Sequence, residues 1–129
     1  MQIYYFTRSG RSKKIAGQLA ARYQVQAEEI KDSKDWQGIG GYIKACLVAV
    51  KKQSLPGIYK KPVGEAPVAL VFPIWAGTFP PAVRAFIEEV GREKIVCIPT
   101  SGGSKLKDRS GFIKVIDLVG SDIAAPAEL

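Results

Sequence analysis

Short apolar runs recur along the chain between polar stretches rich in glycine and proline, and they predict its β-strands. Residues 68–72 and 95–98 are uninterrupted apolar runs, which are typical of central parallel strands covered on both faces. Residues 3–6 predict a buried first strand, and the more acidic segment 25–30 predicts a strand at a sheet edge. A fifth strand is expected within residues 113–118.

Helical periodicity alternates with these runs. Apolar residues recur at helical spacing in three segments: 15–20, 43–50 and 83–90. Ser12 is expected to cap the first helix, whereas Pro80 and Pro81 begin the last one and Gly91 ends it. Alternating strands and helices predict an α/β fold with an open five-stranded sheet. A chain of 129 residues has the length of one domain, so residues 1–129 are expected to form a single domain.

The composition excludes several kinds of chemistry. Hydrophobic residues make up 47% of the chain and charged residues 24%, as in a globular domain rather than a disordered one. The chain has no histidine, which excludes nucleophile systems and zinc sites that depend on imidazole. Cys46 and Cys97 lie far apart within apolar runs, so we expect buried free thiols rather than a redox or metal motif.

Positive charge is concentrated in the first half of the chain, whose net charge overall is +7. Residues 1–64 contain 12 basic and 4 acidic residues, whereas residues 65–129 contain 7 and 8. This asymmetry favours an anionic ligand or an acidic partner, although a lysine-rich solvated surface gives the same pattern. The basic residues do not form runs interleaved with aromatic ones, so the sequence does not favour a nucleic-acid partner.

The sequence also bears on location. Residues 66–83 carry no charge, but several prolines and Gly77 interrupt them, so they do not predict a membrane-spanning helix. The first apolar stretch is too short for a secretory leader. We therefore expect a cytoplasmic protein without a membrane partner.

Three polar or glycine-containing segments follow predicted strands, at the rim where open α/β sheets bind ligands. Residues 7–12 combine three hydroxyls, a glycine and a helix N-terminus, which suits a phosphate monoester but also an ordinary polar turn. Residues 73–79 contain Trp75, whose indole can stack on a planar ligand or pack into the core. Residues 100–104 are small and polar, and they let a ring system approach backbone amides.

In combination, these segments resemble the flavodoxin-like FMN-binding family in its short-chain form. The hydroxyl-x-hydroxyl-Gly-x-hydroxyl pattern of residues 7–12 matches the phosphate loop of that family. Residues 68–87 resemble its most recognisable stretch, and residues 100–104 match its Thr-Ser-Gly-Gly-Ser loop. The resemblance covers roughly residues 2–118. It implies three layers, with the parallel strands in the order 2-1-3-4-5.

The resemblance also implies a cofactor and its binding residues. FMN would be held noncovalently, with its phosphate in the first loop, Trp75 stacked on one face of the isoalloxazine and the third loop closing the other edge. The flavin itself would carry the redox chemistry. The residues expected to bind it are Thr7, Arg8, Ser9, Gly10, Arg11, Ser12, Pro73, Ile74, Trp75, Ala76, Gly77, Thr78, Ser101, Gly102, Gly103 and Ser104.

Two departures from the family pattern change the expectations. The chain is basic, and Arg8 and Arg11 lie within the phosphate loop, so we expect a reduction potential less negative than that of acidic relatives, with acidic redox partners. Both side chains would have no such effect if they extend into solvent. The chain is also short between residues 104 and 113 and after residue 118, which predicts a shortened fourth helix and a missing or vestigial last helix. We expect this to leave one face of the central strands partly bare, to be covered by a second copy or another partner.

Three functions follow from these observations. The leading one is a small FMN-binding electron carrier without a substrate of its own. An NAD(P)H-dependent flavin or quinone reductase of the same superfamily is the second, although such enzymes are usually longer. The third is a module that binds a phosphorylated ligand without redox chemistry.

Overall fold

The computed structural model describes residues 1–32 and 57–129. Its strands are β1 (Gln2–Tyr5), β2 (Ala27–Glu29), β3 (Lys31–Asp32), β4 (Gly57–Ile58), β5 (Val68–Pro73), β6 (Ile95–Ser101), β7 (Lys114–Val115) and β8 (Leu118–Val119). Its helices are α1 (Arg11–Tyr23) and α2 (Pro81–Val90), and a short 3₁₀ turn covers Arg92–Lys94. The predicted helical segment 43–50 and Cys46 lie outside the described residues.

One parallel sheet organises the chain, with the order β2-β1-β5-β6-β7. Strand β8 also pairs with β6 in the parallel sense, so β7 and β8 share the fifth position. The predicted order 2-1-3-4-5 and the α/β class are therefore confirmed. The fifth strand, expected within residues 113–118, is divided into β7 and β8. Asp117 lies between them, and its carboxylate accepts hydrogen bonds from Arg109. The antiparallel pair formed by β3 and β4 was not expected from the sequence.

The sheet separates two apolar layers because successive strand residues point to opposite faces. On one face, Tyr4, Leu70 and Cys97 pack beneath α2. On the other, side chains such as those of Ile3 and Val71 pack beneath α1. Helix α1 begins at Arg11 rather than after a Ser12 cap, because Gly10 adopts a left-handed conformation (φ 94°) at the N-cap position. The expectation for the Ser12 cap is therefore wrong.

In place of the expected shortened fourth helix, residues 102–113 form a loop that contains no helical residue. The guanidinium of Arg92 holds this loop by donating to both carboxylate oxygens of Asp108 at 2.7 Å. It also donates to the carbonyl of Ser110 at 2.8 Å and lies 4.8 Å from the ring centroid of Phe112. Ion pairing and ring contacts thus hold in place a segment that has no helix or strand of its own.

The last residues of the chain cover the face that was expected to be partly bare, so this expectation is wrong. The side chains of Val71 and Ile98 are fully buried there, and Ile123 packs against the same cluster. The amide of Ala125 donates to Oε1 of Gln18 at 2.8 Å, which ties this extended segment to α1. A second copy or another partner on this face stays a prediction, but bare strands are no longer the reason for it.

The remaining expectations concern cysteine and the membrane. Cys97 is a free, fully buried thiol, as predicted, and burial raises its pKa to about 12. Such a thiol carries almost no thiolate at neutral pH and is therefore chemically inert. Among the helices in the described parts of the chain, none is both long and apolar enough to cross a membrane.

Candidate functional site

An open cleft of about 380 Å³ lies beyond the carboxyl ends of β1, β5 and β6. This volume falls within the range of about 300–1,000 Å³ that is typical of ligand pockets. All three segments predicted from the sequence contribute to it. The lining residues are Arg8, Ser9, Arg11, Pro73, Ile74, Trp75, Thr100, Ser101, Gly102 and Ser104.

The first segment turns sharply from β1 into α1. The positive φ of Gly10 suits a residue without a Cβ, and a Cβ built at that position meets no other atom within 4 Å. The amide of Gly10 donates to Oγ1 of Thr7 at 2.9 Å, which closes the turn. The N–H groups of Arg11, Ser12 and Lys13 follow in the first turn of α1, where a helix supplies no internal acceptor. The loop therefore offers amides at the positive end of a helix dipole.

The three hydroxyls of this loop have different roles. Ser12 is buried, and its Oγ lies 3.2 Å from Oγ1 of Thr100. Because Thr100 uses its single proton to donate to the carbonyl of Phe72 at 3.3 Å, Ser12 is the donor in this pair. Ser9 is exposed on the cleft wall and is the hydroxyl of the three best placed to donate to a ligand.

The second segment forms a two-residue turn directly after β5. Trp75 and Thr78 exchange backbone hydrogen bonds of 3.0 Å, with Ala76 (φ 51°) and Gly77 (φ 80°) between them. Positive φ at both central residues is the requirement of a type I′ hairpin turn. The turn directs Trp75 towards the protein interior rather than leaving it on an open loop.

Trp75 is a core residue that borders the cleft, and the expected stacking platform is not present. Only 3% of its surface is exposed, and its ring packs edge-to-face on Phe6 with centroids 5.4 Å apart. A stack needs an open ring face, so the expectation for Trp75 is wrong on this point. The physical reason is that burial of an indole stabilises the fold more than a partly solvated position does. Pro73 and Ile74, which are partly exposed, are the apolar residues that the cleft presents instead.

The third segment, residues 101–104, leaves the end of β6. The hydroxyl of Ser101 donates to the carbonyl of Ser104, which folds the segment into a compact loop. Gly102 and Gly103 are exposed, and a Cβ at either would meet no atom within 4 Å. The amide of Ile74 donates to the carbonyl of Thr100 at 3.0 Å, so the second and third segments are held together.

Arg11 does not extend into solvent. Its Nη2 donates to the carbonyl of Ser101 at 3.3 Å and also to the carbonyl of Gly120. Sequence reasoning found Arg11 but missed Gly120, because nothing in the pattern of residues 119–129 marks a contact with the first loop.

The rim of the cleft is basic. Arg8 and Arg11 line it, and the exposed Lys107 places its Cε 3.7 Å from the Cβ position of Gly77 in the neighbouring turn. Lys105 is exposed in the same loop. Within the described ranges, no cluster of His, Cys, Asp or Glu residues is suited to hold a metal ion. The lining of the cleft, with its basic rim and the apolar Pro73 and Ile74, suits a ligand that carries an anionic and an apolar part.

Solved structures show what this architecture is similar to. A flavoprotein from Lactobacillus acidophilus, crystallised in complex with FMN, superposes with a TM-score of 0.71 at 17% sequence identity, over 94% of this chain and 92% of the other. The chain has the fold of that flavoprotein. A candidate flavoprotein from Bacteroides uniformis gives a TM-score of 0.65 at 19% identity, over 94% and 90% of the two chains. One from Bacteroides eggerthii gives 0.60 at 19% identity, over 90% and 84%.

Sequence comparisons add no family to this result. No protein-family model matches the chain, and no curated protein is significantly similar to it in sequence. The shared fold is thus recognised by strand order and superposition at identities below 20%.

Proposed function

We propose that this protein binds FMN noncovalently in the cleft and serves as an electron carrier. One observation carries the proposal: the cleft joins loops from three neighbouring parallel strands at their carboxyl ends, in a sheet ordered β2-β1-β5-β6-β7. This is the position at which open α/β sheets bind their ligands. The FMN held by the Lactobacillus acidophilus flavoprotein, which has the same fold, supports the choice of ligand.

The residues of the cleft fit the two chemical parts of FMN. The phosphate would accept hydrogen bonds from the hydroxyl of Ser9 and from the amides of the first turn of α1, next to the positive charge of Arg8. The ring would lie against Pro73 and Ile74, with the open surfaces of Gly102 and Gly103 at its edge. The flavin supplies the redox chemistry, whereas the protein supplies binding, orientation and charge.

The charge of the rim supports a kind of partner. Arg8, Lys105 and Lys107 are exposed around the cleft, so a redox partner with an acidic surface would meet a complementary field and associate faster. Association with an acidic partner that becomes slower as the salt concentration rises would support this kind of partner, and association that is indifferent to salt would contradict it. A cytoplasmic location also belongs to the proposal.

Titration of FMN into the purified full-length chain tests the binding. Flavin fluorescence is expected to be quenched at a stoichiometry of one FMN per chain, and Ser9→Asp is expected to weaken FMN binding by repelling the phosphate. Riboflavin, which lacks the phosphate, should be much less sensitive to that substitution. Ser110→Asp adds the same charge at an exposed position outside the lining of the cleft and serves as the matched control. Flavin emission that stays unquenched at high micromolar protein would exclude the function.

Three further measurements separate electron transfer from the alternatives. A carrier is expected to show reversible photoreduction of the bound flavin and no steady-state oxidation of NADPH without an added reductase. Steady-state oxidation would instead indicate a reductase. Binding of phosphorylated compounds that lack a flavin, with no change in the FMN spectrum, would indicate a module without redox chemistry.

A further inference from the structure

Arg11 connects three parts of the chain that meet at the cleft. It is the first residue of α1, and its guanidinium reaches the carbonyl of Ser101 at the end of β6 and the carbonyl of Gly120 after β8. The amide of Gly120 donates to the same Ser101 carbonyl at 2.8 Å. The carbonyl of Ser101 is therefore the common acceptor for the first loop and the C-terminal segment.

The position of the Arg11 side chain separates it from an ordinary phosphate ligand. One terminal nitrogen, Nη2, makes both contacts with main-chain oxygens, and the Nε is buried without a partner. The guanidinium is thus directed along the ends of the strands towards residues 119–120, although its Cα belongs to the first loop. Arginine suits this task because its planar group presents several donors in a fixed geometry, which a lysine ammonium cannot reproduce.

We propose that Arg11 is a positioning residue, which fixes the loop 101–104 and the C-terminal segment 119–129 for ligand binding rather than binding the phosphate itself. The inference rests on the proposed function for the identity of the ligand. Ser101 connects Arg11 to the loop, since its hydroxyl donates to the carbonyl of Ser104 and its own carbonyl accepts from Arg11. Loss of the guanidinium would loosen the loop 101–104, which lines the cleft.

The two roles predict different ligand profiles. A phosphate ligand contributes to the affinity for FMN but not for riboflavin, which has no phosphate. A positioning residue contributes to both, because both present the same ring to loop 101–104. The variants Arg11→Lys and Arg11→Met of the full chain, titrated with FMN and with riboflavin, therefore separate them. Arg8→Met removes the other positive charge of the same loop, next to the proposed phosphate position, and should weaken FMN more than riboflavin.

We expect both Arg11 variants to weaken FMN and riboflavin by similar factors, on the order of tenfold or more, which corresponds to one lost charge-assisted hydrogen bond. Arg11→Lys should not rescue the affinity, although it keeps the charge. If Arg11→Met weakens FMN alone and Arg11→Lys restores it, Arg11 is a phosphate ligand and the inference is wrong. Unchanged affinity for both flavins in both variants would also overturn it.

A second measurement needs no flavin. Hydrogen exchange at the amide of Gly120, which donates to Ser101, is expected to become at least tenfold faster in Arg11→Lys while exchange in the core of α2 stays unchanged. Equal exchange in the variant and the parent chain would overturn the inference. If the parent chain binds neither flavin, the proposed function fails, whereas this exchange experiment still decides whether Arg11 holds the segment.

Discussion

Ser12 donates a hydrogen bond to Thr100 across 3.2 Å, which joins the first turn of α1 to the end of β6 beneath the cleft. Both side chains are buried, with 1% of each exposed. The pair holds the first and third loops at a fixed separation. Ser12 matches the phosphate-loop pattern in the sequence, but in the structure its hydroxyl links α1 to β6. A ligand in the cleft would therefore find its donors in Ser9 and in main-chain amides.

Ser12→Ala is expected to destabilise the fold by about 1–3 kcal/mol, because the oxygen of Thr100 loses its buried donor. Ser9→Ala removes an exposed hydroxyl and should change stability by less than about 0.5 kcal/mol. Urea denaturation of the two variants and the parent chain measures the difference. A cost for Ser9→Ala equal to that for Ser12→Ala would contradict the assignment of the buried hydroxyl.

The turn at Ala76 and Gly77 predicts opposite effects of two small substitutions. Ala76 carries a side chain at a positive φ, so Ala76→Gly relieves strain and should be neutral or stabilising by up to about 1 kcal/mol. Gly77→Ala introduces that strain at the next residue and should cost about 1–2 kcal/mol. Thermal unfolding of both variants provides the test, and a destabilised Ala76→Gly would argue against this turn geometry.

Trp75 is expected to matter for stability more than for flavin affinity. Trp75→Ala should cost about 3–5 kcal/mol because it leaves a cavity against Phe6. Trp75→Phe keeps an aromatic ring in the core and should be milder, with the riboflavin affinity within about threefold of the parent chain. A large loss of riboflavin affinity in a fully stable Trp75→Phe would restore the stacking role expected from the sequence.

The ion pair of Arg109 and Asp117 predicts an acid dependence. The guanidinium donates to both carboxylate oxygens at 2.8 Å, and this hydrogen bonding holds the pKa of Asp117 below its ordinary value of 3.8. Because the folded-state pKa is depressed, its contribution to stability is present above 3.8 and is lost as the pH falls through the lower, folded-state value. Asp117→Asn should flatten the acid limb of a stability-against-pH curve, and so should Arg109→Gln. An unchanged acid limb in both variants would exclude this contribution.

The basic rim predicts a redox effect if the cleft binds FMN. Removing one positive charge disfavours an anionic reduced flavin, so Arg8→Gln should make the one-electron potential about 20–70 mV more negative for a charge ~10 Å away. Lys94→Gln, at the opposite end of β6, is the control and should change the potential much less. Potentiometry of the two variants measures both shifts. A more positive potential in Arg8→Gln would contradict the sign of the argument.

The hydrophobic pattern predicted the main strands of the sheet, the family resemblance implied their order, and neither predicted how the chain ends. Strands β5 and β6 were recognisable because both of their faces are buried, which requires an unbroken apolar run. Strands β3 and β4 are only two residues long and contain too few apolar positions to predict.

The site was predicted by position rather than by role. Loop residues were placed at the correct rim because parallel strands end together, yet periodicity carries no information on side chains that bind distant carbonyls. Arg11 and Gly120 are 109 residues apart in sequence, and their contact appears only once the sheet is assembled. The direction of Trp75 depended likewise on the Ala76–Gly77 turn, whose left-handed alanine has no sequence signature.

The all-parallel pairing of the main sheet has a consequence for how the chain reaches its native state. Ile3 pairs with Ala69 on one side and Ala27 on the other, so its neighbours in the sheet are distant in sequence. No hairpin can nucleate such a sheet, and long loops must close before any ladder forms. Refolding from denaturant is therefore governed by contacts of high sequence separation. During synthesis, β1 gains its second neighbour only after residues 68–73 of β5 have been made.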